Sequence, residues 1–169
     1  AVLVEGDTRP TRGDVTRLVL ASEADALVID PVELSPAQEE AVGTVLATAS
    51  SLIVHDAKGT RHALASRGWT LGTIECDTML AAYLAHPDSH KLVDVLSRVL
   101  GVVIEEREGD AGALFELSDV GAGPNAAQTY AGQLAAHLHP LAKTLRARLE
   151  ESSEASLLTE MEMPLSVLL

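Results

Sequence analysis

The sequence predicts an α/β domain built on a mixed sheet, with an N-terminal three-strand meander flanked by helices. Three observations carry this expectation. The β-branched runs AVLVEGD, TRLVLAS and DALVIDP follow one another with turn-forming residues between them, the mark of successive strands. Strand-like and helix-like stretches then alternate as far as Cys76, the pattern of a sheet covered by helices. Farther along, apolar residues recur at helical spacing through two more stretches. With 169 residues, 47% of them hydrophobic, the chain suits a single domain (1–169), since domains usually hold roughly 50 to 250 residues.

The elements follow in order. After the meander, SPAQEEAVGTVLATA is well marked as a helix: Ser35 can cap it, Pro36 occupies the first turn, and Gln38 completes a capping-box spacing. Its buried stripe is expected to be Ala41, Val42, Val45, Leu46 and Ala49. SLIVH reads as a fourth strand, a short helix is expected from Lys58 to Arg67, and GTIEC reads as a fifth strand after a stop at Gly68. Asp77 is placed to cap TMLAAYLAH. In KLVDVLSRVLG, residues Leu92, Val95, Leu96, Val99 and Leu100 line one helical face, and Gly101 stands as terminator. From Glu105 to Asn125, charged residues mix with Gly109, Gly112, Gly121 and Gly123, and a loop is expected. Beyond it, Tyr130, Leu134, Leu138, Leu141, Leu145 and Leu149 form a stripe in which Pro140 should kink the helix or divide it.

Charge and composition exclude several functions. A net charge of −13 opposes phosphate binding, which relies on cationic side chains. Aromatic content of 2% removes the stacking platforms of single-strand binders. The single cysteine, Cys76, excludes an internal disulfide framework and reads as a core residue. No run of about 18 apolar residues is present to span a bilayer, and no secretory leader is visible; no membrane association and a cytoplasmic, nucleoid-associated location are expected. His55, His62, His86, His90, His137 and His139 lack zinc spacing, and His137 and His139 fall on different sides of a helix.

With these elements placed, RGWTLGTIECDTMLAAYLAHPDSHKLVDVLSRVLG resembles the G-hydrophobic-D-T-M-L-x-x-Y-L segment, with its following helix, of the 3′-5′ exonuclease (proofreading) domains of bacterial family A DNA polymerases. EMEMPLSVLL resembles the E-M-P-L segment through which such a domain joins the polymerase domain. The resemblance implies a ribonuclease H-like fold and a fragment of a longer polymerase, with about 155–169 beginning the connection. Its implied partners are the polymerase domain of the same chain and, through the parent protein, DNA.

The chemistry of such domains uses two divalent ions roughly 4 Å apart, held by carboxylates, to activate water and stabilise the leaving oxygen. The family pattern supplies D-x-E on the first strand, N-x-x-x-D at a strand-to-helix junction and Y-x-x-x-D on the last helix. This sequence departs from each motif. Glu5 and Asp7 keep the i, i+2 spacing that puts two side chains on one face of a strand, in reversed order. Asp56 stands at the asparagine position and Thr60 at the ligand aspartate. Tyr130 is retained, and Leu134 replaces the last aspartate. A threonine hydroxyl is a weak ligand for Mg²⁺, and a leucine is none.

The expectation is therefore a catalytically inactive exonuclease-like domain with a structural role in a polymerase that serves replication and repair synthesis. It would bind no metal and no cofactor of its own; Mg²⁺ is expected in the polymerase domain of the parent protein. The alternative is an active metal-dependent exonuclease using Glu5, Asp7 and Asp56 in a rearranged site. A third reading is a free-standing acidic interaction module.

Overall fold

The computed structural model describes residues 1–88, 90–105 and 125–168. Most of the loop expected between Glu105 and Asn125, from 106 to 124, lies outside the described residues, as does Leu169. Strands β1 (Val2–Asp7), β2 (Asp14–Ala21) and β3 (Ala26–Ile29) form the expected antiparallel meander. Strands β4 (Leu52–Val54) and β5 (Ile74–Asp77) run parallel to β1, giving a five-stranded mixed sheet in the order β3-β2-β1-β4-β5.

Period-two alternation divides the core between the two faces of this sheet. On one face Val2, Leu18, Leu52 and Val54 pack with Leu46 of helix α1 (Pro36–Thr48) and with Ala57, Ala63 and Leu64 of helix α2 (Ala57–Ala65). On the other, Leu3, Val19 and Ala21 meet Ala131 and Ala135 of helix α5 (Ala126–Ala136). Ile53 and Cys76 join Leu138, Leu141 and Leu145 of helix α6 (Leu138–Glu151) on that same side. Cys76 is the expected core thiol, fully buried, and burial pushes its pKa up to about 11.

Local signals set most boundaries. The Ser35 N–H donates to Gln38 Oε1 at 2.9 Å, one arm of the expected capping box. The stripe expected on α1 is corrected by the structure. Leu46 is buried and Val42 and Ala49 are half-buried, whereas Ala41 is exposed and Val45 is 56% exposed. On the flank away from Val45, Trp69 packs so closely on Gly43 that a Cβ there would lie 2.9 Å from the indole.

Helix α3 (Thr78–Ala85) begins at Asp77 as expected. Helix α4 (Leu92–Leu100) buries Leu92, Val95 and Leu96 and ends at Gly101 with φ +69°. The Pro140 stripe is divided in two. α5 stops at Ala136 and α6 starts at Leu138, which places Pro140 in a first turn where its missing N–H costs nothing. Two short helices, α7 (Ala155–Leu157) and α8 (Met163–Leu168), joined by a π-helical turn at Leu158–Glu162, end the described chain. No helix among the described residues is long and apolar enough to cross a membrane.

Candidate functional site

The first-strand acids lie at the C-terminal end of β1. Glu5 follows Leu3 by two residues, on the α5 side of the sheet, and opposes Arg17 across the β1–β2 ladder. The register then slips: Gly6 opposes Val15, leaving Thr16 as an extra residue on β2. Gly6 has φ +144°, and a Cβ on it would sit 2.0 Å from the Asp14 carbonyl oxygen, so this bulge requires glycine. The extra residue lies on β2, so the slip changes the cross-strand partners of β1 after Glu5, with Asp7 opposite Asp14.

Each acid has its own guanidinium. Arg17 Nη1 donates to Glu5 Oε2 at 2.6 Å, and Arg17 Nε donates to Asp30 Oδ1 at 3.1 Å. The other Asp30 oxygen accepts from Gln128 Nε2 at 3.0 Å, which ties α5 to the network. Asp7 instead accepts from Arg9, through Nε at 2.9 Å and through the Arg9 backbone N–H at 3.0 Å. The side-chain bonds of Arg9, followed by its backbone bond, hold the Asp7 pKa down at about 2.

At the junction after β4, Asp56 adopts a left-handed backbone, φ +64°, which aspartate tolerates better than most residues. Its carboxylate caps α2 by accepting from the Gly59 N–H at 2.9 Å. Thr60 is 4% exposed inside α2, and Leu134 packs in the α5–α6 core. Tyr130 is half-buried against that core and lines a cleft of about 680 Å³ with Val102, Ile104 and Gln133; Glu5, Asp7 and Asp56 are not in its lining. Among the described residues no three His, Cys, Asp or Glu side chains are grouped to hold a metal ion. The donor set does not fit a two-ion centre: Glu5, Asp7 and Asp56 are engaged by arginines or by a helix end, and Thr60 and Leu134 bring no charge.

Two polar clusters beside this site were not legible in full. Asp77, expected as the cap of α3, also holds α2. Its buried carboxylate accepts from Met79 N–H at 2.9 Å, Leu80 N–H at 3.4 Å, Asp56 N–H at 3.1 Å and Ala57 N–H at 2.8 Å. His55 joins β4 to the segment before α4: its Nε2–H donates to the His90 carbonyl at 2.7 Å, and its Nδ1 lies 2.9 Å from Thr78 Oγ1. The Thr78 hydroxyl donates to the Val54 carbonyl at 3.0 Å, which ties His55 to the end of β4, and burial lowers the His55 pKa. The signal for His55 was only its place at a strand end, which does not reveal a partner 35 residues away.

A five-stranded mixed sheet in the order β3-β2-β1-β4-β5, covered by helices on both faces, defines an α/β domain with a ribonuclease H-like fold. An apo nuclease structure superposes with TM-score 0.65 over 90% of this chain and 73% of that one, at 24% identity, a likeness of fold alone. The chain is homologous to DNA polymerase I of mycobacteria: it is 36% identical to the Mycobacterium leprae protein over 172 residues and 34% identical to that of Mycobacterium bovis over 165. These matches cover 98% and 95% of the chain, which spans only 19% and 18% of those relatives. The POL domain of Pol1 from M. smegmatis, in complex with DNA primer-template and dNTP, superposes with TM-score 0.80 at 31% identity, covering 98% of this chain and 26% of that one. No protein-family model matches.

Proposed function

We propose that this chain is a catalytically inactive 3′-5′ exonuclease-like domain of a DNA polymerase I, kept for structural support of a polymerase active in replication and repair synthesis. One observation carries the reading: the acids at the motif positions are committed to Arg17, Arg9 and the α2 N-terminus, while Thr60 and Leu134 stand where further carboxylates are needed. The homology to mycobacterial DNA polymerase I supports the parentage.

In this reading the domain binds no divalent ion, Mg²⁺ serves the polymerase domain, and DNA is reached through the parent protein in the cytoplasm. The segment 155–169 leads into the polymerase domain. Leu158 there is buried, whereas Met161 and Leu165 are 53% and 43% exposed, which leaves apolar surface for a neighbouring domain.

Ligand-linked stability tests the metal-free reading. An ion that binds only the folded state adds about 2.7 kcal/mol at a hundredfold excess over Kd. Thermal melts in millimolar Mg²⁺ are expected to match melts in NaCl of equal ionic strength; an increase of several degrees specific to Mg²⁺ would contradict the reading.

A further inference from the structure

We infer that Arg17 is the resident cation of the degenerate site. Its guanidinium takes the charge-balancing place beside the first-strand carboxylate, so it excludes divalent ions independently of the ligands missing at Thr60 and Leu134. The inference rests on the metal-free reading above and names the residue that enforces it.

Three consecutive strands bring the groups together. Glu5 lies on β1, Arg17 is its direct cross-strand partner on β2, and Asp30 follows β3. The guanidinium spends separate donors on the two acids, Nη1 on Glu5 at 2.6 Å and Nε on Asp30 at 3.1 Å. The side chains of Arg17, Glu5 and Asp30 are 18%, 33% and 19% exposed, so the pairs are partly withdrawn from water and less screened than surface pairs.

Arginine suits this task because it stays charged at any working pH and its planar fork fits carboxylates. Being tethered, it competes with a free ion as an intramolecular partner. A divalent ion would have to displace it from Glu5 and then sit near its positive charge. The Gln128 amide on the second Asp30 oxygen helps to fix the arrangement from α5.

Removing the guanidinium without adding a ligand should therefore leave a vacant pair of acids that a cation can bridge. Mn²⁺ is the probe, titrated into the 169-residue chain and followed by calorimetry and by the loss of free-ion signal in electron paramagnetic resonance. The native chain and Arg17→Lys are expected to show no saturable binding. Arg17→Gln should show saturable binding with a Kd at least about tenfold below the weakest affinity the titration can detect, the scale of relieving one nearby like charge. The double variant Arg17→Gln with Asp30→Asn should lose that gain.

If neither the native chain nor Arg17→Gln binds Mn²⁺, the inference is overturned and the metal-free reading stands. If the native chain already binds at Glu5, both fall. Should Arg17→Gln fail to fold in chelator, refolding in millimolar Ca²⁺ and in NaCl of matched ionic strength replaces the titration. Rescue by Ca²⁺ alone supports the inference, and no rescue overturns it.

Discussion

His55 shows how one side chain links burial to pH. Desolvation outweighs the raising effects of the His90 carbonyl and of the Asp77 and Asp56 charges, so its pKa in the folded chain lies below the ordinary imidazole value. The unfolded chain then binds more protons than the folded one as pH falls below that ordinary value of about 6.5. Stability from neutral His55 is accordingly complete above this pH and drains away on acidification toward the depressed folded value. Melting temperature is expected to fall between pH 7.5 and pH 5.5, with a shallower slope in His55→Gln. Equal slopes in the two proteins would show that His55 contributes nothing to the pH dependence and that its folded pKa is not depressed. Asp7 offers no comparable lever, because it and Arg9 lie where water and salt screen them.

Among elements, the joint between α2 and α3 depends most on a single group. Buried Asp77 satisfies orphan N–H groups at the starts of both helices. Asp77→Ala should cost about 3–5 kcal/mol, the range for leaving several buried donors without an acceptor, and Asp77→Asn, which keeps one oxygen, should cost less. Urea midpoints measure both, and a loss below about 1 kcal/mol for the alanine variant would refute the double-cap account.

The same region shows how far a sequence can be read. The Asp77 cap on α3, the Gln38 contact to Ser35, the Gly101 stop and the break near Pro140 rest on local spacing, and each was legible. The bulge at Gly6 was hidden because an extra residue exists only relative to a partner strand. The pairing of Arg17 with Glu5 was hidden for the same reason. The exposure of Val45 and the packing of Trp69 on Gly43 were hidden as well, because both are set by tertiary packing that local spacing does not encode. At the site, the chemical identities of Thr60 and Leu134 were plain from the motifs, whereas the partners of Glu5, Asp7 and Asp56 required the fold.

For the whole molecule, charge and packing point the same way. A net charge of −13 works against holding the DNA backbone, and the Arg17 pairs and the buried Asp77 carboxylate join strands and helices to one another. The central claim is that this machinery stabilises a fold and does not hydrolyse phosphodiesters. The most direct measurement is nucleotide release from single-stranded and mismatched 3′ ends by the 169-residue chain in Mg²⁺ and in Mn²⁺, alongside Glu5→Gln and Asp7→Asn. The account predicts no release above the level of those variants with either ion; divalent-dependent release that either substitution abolishes would contradict it and establish a rearranged, working exonuclease.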